Sequence, residues 1–497
     1  MTPPDTDWDL ENAPVPRPTQ RDVVKALGWA AAPKLLVQPL TFGVGVVLAR
    51  LLSPEDFGLV GMVTVLSGFS LMFVDSGFAS ALIQRDTITD RETSSVFWLN
   101  LGVGSALAVL IAALAPLVAS FYKEPELLML TRAVALQFVL SALAVVPAAL
   151  LRRDLAFKAL GLRDVAAAVA GGGVAVVMAL SGYGVWSLIG QILVNALATA
   201  VLVWAACPWR PRWTFDWAAV RDLLGFSGNV LGFNVINYWT RNADYLIIGR
   251  VIGAASLGLY TRAYQTMMLP ITQLTGKLSS VLFPAMARYQ DDLPRLKRGY
   301  LRAIGITGLI TIPLMVGLFI LADPFVRAVY TDKWAGVVPI LQILCLVGIK
   351  QPLGSITGVL YLSQGRADLQ FRWNLVINVS AVAAFAMGAQ WGVLGVAIAY
   401  AIHQYVFWYP SIRIPGALIG VSFYDFVRSI SGVIACSALM ATAMLGVDRF
   451  VGDWSSPWIA LLSLTAVGVG VFGSAAATFQ LKPYREALSI LRGHVVS

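Results

Sequence analysis

Seven charged residues lie deep inside long apolar runs of this sequence. The acids are Asp75 and Asp244, and the deep bases are Lys34, Arg241, Arg262, Lys277 and Lys350. A charge at bilayer depth costs about 3 kcal/mol or more, so it normally faces a cavity or a partner. If these side chains line one cavity, that cavity is cationic. It would suit an anionic cargo such as a diphosphate, which arginine can bind in a bidentate manner.

Two pairings among these charges follow from their positions. Lys34 and Asp75 lie at matching depths in the first two apolar runs, so an ion pair between them is the preferred arrangement. A structural pair without cargo contact is the alternative. Asp244 follows Arg241 by three residues, which places both on one face of a helix. Both acids are therefore interpreted as coupling groups or structural partners of the bases.

The composition indicates an integral membrane protein. Hydrophobic residues make up 58% of the 497 residues and charged residues 13%, whereas soluble domains have about 25% charged residues. A spanning helix needs about 20 mostly apolar residues, and this rule predicts an all-α fold with 14 transmembrane helices. The predicted spans are 27–49, 57–83, 95–119, 127–150, 164–181, 184–206, 223–249, 257–284, 301–321, 336–361, 373–389, 393–412, 430–447 and 457–478.

Internal matches indicate that the first twelve helices are a duplicated six-helix unit. Residues 152–158 and 366–372 both read R-x-D-L-x-F-[K/R], at a spacing of 214. Residues 50–59 match 250–259 without gaps, and a third, shorter match has a spacing of 208. A near-constant period indicates a repeat. Because six is even, the two lobes enter the membrane from the same side and form parallel repeats.

The Lys and Arg distribution predicts the orientation. Twenty-three of the 36 lie on the side of the termini and six on the other, so both termini are expected to be cytoplasmic. Arg132 and Arg302 lie near helix ends and could snorkel to the interface. The predicted domains are an N-terminal tail (1–26), an N-lobe (27–206), a cytoplasmic linker (207–222), a C-lobe (223–412), two further helices (430–478) and a C-terminal tail (479–497).

Several functions are disfavoured by what the sequence lacks. There is no Walker-type loop, paired-carboxylate motif, nucleophile constellation or metal-ligand spacing, so neither an enzyme nor a bound cofactor or metal is expected. No basic run with interleaved aromatic residues supports nucleic-acid binding, and the net charge of +9 follows from the cytoplasmic loops. His403, beside Gln404, could relay protons, although a lone histidine is more often hydrogen-bonded to its neighbours.

Two stretches resemble a known family. Residues 242–253 (NADYLIIGRVIG) and 257–264 (LGLYTRAY) look like the seventh-to-eighth helix signature of Wzx-type polysaccharide flippases, and 48–58 (LARLLSPEDFG) resembles the matching first-half stretch. These flippases belong to the multidrug/oligosaccharidyl-lipid/polysaccharide exporter superfamily, and the resemblance is strongest to its colanic acid exporter-like branch. Arg50 and Arg250 occupy equivalent repeat positions at the predicted periplasmic rim, which favours a structural or gating role.

The resemblance implies a function. Such proteins move undecaprenyl-diphosphate-linked oligosaccharide across the bacterial cytoplasmic (inner) membrane by alternating access, for exopolysaccharide or O-antigen biosynthesis. The implied partners are this lipid-linked glycan and membrane lipid; a polysaccharide polymerase and co-polymerase could be others, and a monomer is expected. A cation-coupled multidrug antiporter and a lipid II flippase of the same superfamily are alternatives. A scaffold without transport is disfavoured, because it gains nothing from the desolvation of intramembrane charges.

Overall fold

The structure is a computed structural model that describes residues 20–74, 82–83, 88–217, 221, 238–239, 241–290 and 292–491. The side chains of 20–32, 34, 273–285, 287 and 487–491 lie outside this description. The helices, in chain order, are α1 (Gln20–Leu51), α2 (Pro54–Val74), α3 (Asp90–Tyr122), α4 (Leu127–Arg153), α5 (Phe157–Leu180), α6 (Trp186–Ala206), α7 (Ala243–Val251), α8 (Ala254–Ala287), α9 (Leu293–Ile320), α10 (Ala322–Val329), α11 (Val337–Ser363), α12 (Ala367–Gly388), α13 (Gly392–Val406), α14 (Trp408–Leu418), α15 (Phe423–Val451), α16 (Pro457–Thr478) and α17 (Lys482–Leu491), with 3-10 turns at Asp332–Trp334 and Ala389–Trp391.

All regular secondary structure in the described residues is helical, as expected for an all-α membrane protein. Ten helical segments in this part of the chain are long and apolar enough to cross a membrane. The prediction of an all-α, multi-pass membrane protein is confirmed. The total of 14 spans stays a prediction, because the predicted spans 57–83 and 223–249 lie partly outside the described residues. The chain divides into two compact units, unit 1 (residues 1–255) and unit 2 (residues 256–497). The lobe and linker boundaries drawn from the sequence also stay predictions.

Unit 1 is built from helix pairs that approach closely at small residues. α3 packs along α4, and α5 packs along α6 and α1. A Cβ on Gly104 of α3 would lie 2.7 Å from the Cβ of Ala142 and 2.9 Å from the carbonyl oxygen of Phe138. Small residues let helix backbones come this close, which is how membrane helices gain packing energy without a hydrophobic effect between them.

The SPEDFG stretch (residues 53–58), which is part of the family resemblance, forms the start of α2. The backbone N–H of Ser53 donates to Asp56 Oδ2 (2.8 Å), and the Asp56 N–H donates to Ser53 Oγ (3.2 Å). This reciprocal arrangement is a capping box, with proline at the first helical position. Gly58 follows one turn later, where a Cβ would overlap the carbonyl of Ala254. The motif therefore begins α2 and allows close contact with the start of α8.

The segment after α6 is fastened to the beginning of α3. Arg212 forms an ion pair with Asp90 (2.9 Å), and its N–H donates to Ser94 Oγ (3.0 Å). Trp98 Nε1 donates to the carbonyl of Arg212 (2.8 Å), and its ring stacks on Trp213 at 4.3 Å between centroids. This part of the predicted inter-lobe linker is thus held against unit 1.

Unit 2 has its core where α9 packs against α11 and α15. Tyr300, Leu353, Leu360 and Phe426 have no exposed surface. The hydroxyl of Tyr300 is 3.1 Å from Thr357 Oγ1, so the buried phenol has a hydrogen-bond partner. α16 packs on α15, and the short α17 lies against α9.

Both R-x-D-L-x-F-[K/R] copies form corners between helices. The first runs from the end of α4 to the start of α5, and the second begins one residue before α12 and continues into its first turns. Leu155 in the first corner and Gly365 before the second have positive φ (55° and 66°), which lets the chain reverse. In the second copy, Arg366 Nε is 3.0 Å from Asp368 Oδ1. The repeated motif is therefore explained by helix-corner geometry.

Candidate transport site

Lys350 is the predicted cation whose surroundings are best defined. It lies in α11 with 7% of its surface exposed. Its Nζ donates to the backbone oxygen of Gln404 (2.7 Å) and to Gln404 Oε1 (2.6 Å), both from α13. An ammonium group has three donors, so one is left over. No described carboxylate forms an ion pair with Lys350, so its positive charge is solvated by dipoles and not neutralised.

Polar contacts extend from Lys350 to the neighbouring helices. Gln351 Nε2 donates to the hydroxyl of Tyr264 on α8 (3.4 Å). His403, buried beside Gln404, has its Nε2 2.8 Å from Ser380 Oγ on α12. This polar layer, consisting of Tyr264, Gln351, Lys350, His403, Gln404 and Ser380, crosses α8, α11, α13 and α12 inside unit 2. The contact of His403 with Ser380 agrees with the expectation of a hydrogen-bonded histidine.

Arg262 lies in an aromatic cage elsewhere in unit 2. The guanidinium carbon is 5.3 Å from the ring centroid of Tyr330 and 5.6 Å from that of Trp334, within cation–π range. The hydroxyl of Tyr330 is 2.9 Å from Thr266 Oγ1, one turn along α8 from Arg262. These contacts join α8 to the segment after α10. They support a structural role for Arg262, and its contact with cargo stays a prediction.

The candidate residues of unit 1 are placed as follows. Asp244 is buried (5% exposed) in the first turn of α7, where the N–H of Tyr245 donates to its Oδ1 (2.9 Å), and Arg241 just before it is exposed. The Arg250 guanidinium carbon is 5.6 Å from the ring centroid of Phe121, which ties α7 to α3. Arg50 is exposed at the end of α1.

Three further candidates are only partly described or lie outside the description. Lys34 belongs to α1 and Lys277 to α8, but their side chains lie outside the described set. Asp75 lies outside the described residues altogether, so the predicted Lys34–Asp75 pair remains a prediction. Within unit 2, the structure places Lys350 and Arg262 in two separate environments, the polar layer and the aromatic cage.

A polar groove in unit 1 was missed by sequence reasoning that considered charges alone. A cavity of about 390 Å³ lies between α4 and α6. Its polar lining residues are Gln137, Ser141, Gln191, Asn195 and Thr199. None of these side chains makes a hydrogen bond with a described residue, although all five lie within membrane-spanning helices. An unsatisfied amide or hydroxyl is costly inside a membrane, so the groove is suited to a polar, uncharged ligand.

Comparison with solved structures defines the class of fold. The structure described as "Lipid II flippase MurJ, inward closed conformation" aligns with a TM-score of 0.74 over 92% of this chain and 99% of that chain, at 15% identity. At this identity the likeness shows the fold alone, which is that of a multi-helix membrane transporter.

The family model described as "Polysaccharide biosynthesis protein" matches residues 47–339. The teichuronic acid biosynthesis protein TuaB of Bacillus subtilis (strain 168) is 32% identical over 391 residues, covering 76% of this chain and 79% of TuaB. The lipopolysaccharide biosynthesis protein WzxC of Escherichia coli (strain K12) is 29% identical (76% and 77% covered). The succinoglycan biosynthesis transport protein ExoT of Rhizobium meliloti (strain 1021) is 29% identical (75% and 76%). The chain belongs to this polysaccharide biosynthesis family, and the predicted resemblance is confirmed.

Proposed function

We propose that this protein flips undecaprenyl-diphosphate-linked oligosaccharide repeat units from the cytoplasmic to the periplasmic leaflet of the bacterial inner membrane, by alternating access. The relatives named for polysaccharide biosynthesis and transport support this cargo class. The observation in the structure that favours it most is Lys350, a buried cation held by two oxygens of Gln404 and by no described carboxylate. Because it is not neutralised, this charge can attract a diphosphate.

Two regions of the chain are suited to different parts of such a cargo. Lys350 of unit 2 would attract a diphosphate, and the side chains of Asn195, Gln191 and Gln137 in the groove of unit 1 would suit sugar hydroxyls. Amide side chains both donate and accept hydrogen bonds, which matches the hydroxyl groups of a sugar.

The remaining charged candidates keep their predicted roles as proposals. Lys34, Arg241, Arg262 and Lys277 would add to the positive field, and Arg50 and Arg250 would act at the rim. Asp75 and Asp244 would serve as coupling or structural groups. Both termini are proposed to be cytoplasmic. The protein is proposed to act without catalysis and as a monomer, with a polysaccharide polymerase and co-polymerase as further partners.

A multidrug antiporter needs acidic groups that exchange protons or Na⁺ against cationic drugs. Lys350 has no described acidic partner. A cationic drug beside Lys350 would meet like-charge repulsion, so this observation favours an anionic cargo.

The test measures the leaflet distribution of undecaprenyl-diphosphate-oligosaccharide in cells that lack the gene. Cells are complemented with wild type, Lys350→Met, or the matched control Lys158→Met, an exposed lysine on α5. We expect cargo to accumulate in the cytoplasmic leaflet without the gene, and wild type and Lys158→Met to clear it while Lys350→Met does not. Protein levels are compared by immunoblot.

An unchanged leaflet distribution combined with greater sensitivity to cationic drugs in the deletion strain would overturn the proposal in favour of a multidrug exporter. Full clearance by Lys350→Met would retain the flippase function but remove Lys350 from the cargo site.

A further inference from the structure

A large cavity lies in unit 2, apart from the polar layer and the aromatic cage. Its volume is about 1100 Å³, and it opens where the N-terminal ends of α9 and α15 meet α17. This is the face of the membrane that the distribution of Lys and Arg predicts to be cytoplasmic. The basic residues that line the cavity are Arg295, Arg298, Arg302, Arg428 and Lys482, and the acidic ones are Asp425 and Glu486.

Both acids of the cavity are already engaged. Glu486 Oε2 on α17 is 3.4 Å from Arg302 Nε on α9. Asp425 Oδ2 accepts from Lys297 Nζ at 2.8 Å. Arg298 and Arg428, in contrast, are exposed, and neither forms an ion pair with a described residue. The cavity therefore presents two guanidinium groups whose charge is not balanced nearby.

One wall of the cavity is apolar. Leu301 and Leu481 present partly exposed side chains on it, and the buried Leu296 and Val433 lie behind them. Leu481 is seated against Gly432 of α15, where a Cβ would come within 2.7 Å of its Cδ2. The segment that leads into α17 is thus packed tightly on α15 and closes one side of the cavity.

Two glycines allow this packing. Besides Gly432, Gly305 on α9 faces Pro483, whose Cγ would lie 2.9 Å from an added Cβ. The resulting cavity combines a cationic rim with an apolar wall contributed by the membrane-spanning helices α9 and α15 and by Leu481 before α17. A soluble anion would use only the rim, whereas a phospholipid would use both parts.

We propose that this cavity binds the phosphate headgroup of an anionic phospholipid, with Arg298 and Arg428 as the phosphate ligands and an acyl chain against the apolar wall. Basic pockets between transmembrane helices on the cytoplasmic side suit such headgroups, and guanidinium groups bind phosphate in a bidentate manner. The site is separate from the proposed transport site and does not rest on the transport function. Because α17 forms one side of the cavity, lipid binding would also stabilise its docking on α9.

The experiment measures lipid binding to the purified, delipidated full-length protein in detergent, by native mass spectrometry with titration. The probes are dioleoyl-phosphatidylglycerol, zwitterionic dioleoyl-phosphatidylcholine, glycerol phosphate as the soluble headgroup, and undecaprenyl phosphate. The variant is Arg298→Gln with Arg428→Gln, and the matched control is Arg372→Gln with Arg413→Gln, two exposed arginines of unit 2 outside the cavity.

We expect wild type to bind phosphatidylglycerol more tightly than phosphatidylcholine or glycerol phosphate. A basic residue near an anionic lipid surface contributes about a fivefold gain in affinity, so losing two should weaken phosphatidylglycerol binding about 30-fold. The control pair should bind as wild type does, and the melting temperatures of lipid-free wild type and both variants should agree.

Three results would overturn the proposal. Equal weakening in both arginine pairs would mean that the protein's general charge attracts the lipid. Glycerol phosphate binding as tightly as phosphatidylglycerol would mean that the apolar wall has no role. Undecaprenyl phosphate binding tenfold more tightly than phosphatidylglycerol, with the same loss in the cavity variant, would assign the cavity to the isoprenoid carrier instead of bulk phospholipid.

Discussion

Replacing Gln404 by leucine tests how the buried charge of Lys350 is stabilised. The substitution removes the Oε1 acceptor at 2.6 Å and leaves the backbone oxygen at 2.7 Å. A hydrogen bond to a charged group contributes about 1.5–3 kcal/mol. Because Lys350 is only 7% exposed, water cannot readily take the place of the lost oxygen. We therefore expect Gln404→Leu to destabilise the protein by about 2 kcal/mol.

The companion variant Lys350→Met should behave differently. It leaves the Gln404 oxygens unpaired, which costs about 1–3 kcal/mol, but it also relieves a buried charge worth about 3 kcal/mol. These effects oppose each other, so the net change should lie between zero and about 2 kcal/mol of stabilisation. The double variant also lacks the unpaired Gln404 amide, so it should be at least as stable as Lys350→Met, giving a coupling free energy of at least about 2 kcal/mol in the double-mutant cycle.

The assay is reversible unfolding in mixed detergent, with Gln351→Leu as the matched control. Gln351 is the neighbouring amide and makes only one long hydrogen bond, at 3.4 Å, so its loss should cost less than about 1 kcal/mol. The reasoning would be refuted if the free-energy change of the double variant equalled the sum of the changes of Gln404→Leu and Lys350→Met. That result would mean that the two side chains do not interact measurably.

A carboxylate at position 404 separates stability from transport. Gln404→Glu should keep or raise the melting temperature, since it supplies Lys350 with a counter-ion. It should nevertheless reduce cargo clearance in the complementation assay, because a neutralised lysine no longer attracts a diphosphate. If clearance stays at the wild-type level, the Lys350 charge is not used for cargo.

Three further changes test other parts of the molecule. Arg262→Met should lower stability by about 1–2 kcal/mol through loss of the cation–π contacts, seen as a lower melting temperature in detergent; an unchanged value would contradict the cage. Gly58→Ala should cost about 1–3 kcal/mol because its Cβ overlaps the carbonyl of Ala254, whereas Gly173→Ala, with open space around it, should be neutral or stabilising. Asn195→Leu should leave the melting temperature unchanged or higher but slow cargo clearance, and normal clearance would remove the groove from glycan binding.

The sequence predicted the helices well because each is a long apolar run, and the structure has helices at α3–α6, α9, α11, α15 and α16 where spans were expected. It did not predict that residues 393–412 divide into α13 and α14, since hydropathy averages over a break at Phe407. α17 within the predicted C-terminal tail was also missed, because a short amphipathic helix has no apolar run. The sequence identified Lys350 as a candidate site residue because it is a charge within an apolar run. It could not identify Gln404 as the partner of Lys350, since hydrophobic periodicity does not tell which helices are neighbours.

The predicted duplication accounts for where the polar groove and the polar layer occur in the sequence. The spacing of 214 residues at the helix-corner motif places Gln137 of α4 opposite Gln351 of α11 in the repeat. The spacing of 208 at the shorter match places Asn195 of α6 opposite His403 of α13. The two polar regions therefore fall at corresponding positions of the predicted repeat.

The two copies then differ at the positions next to these shared polar residues. Where the second copy has Lys350 and Gln404, the first has Leu136 and Ala196 at the same spacings. A lysine alone at such a depth would be an unsolvated charge, and a glutamine alone would be an unsatisfied amide. Lys350 is tolerated because Gln404 supplies its acceptors, so the two differences are interpreted as one joint change. In this interpretation the groove of unit 1 stays polar but uncharged, whereas unit 2 gains the buried cation Lys350.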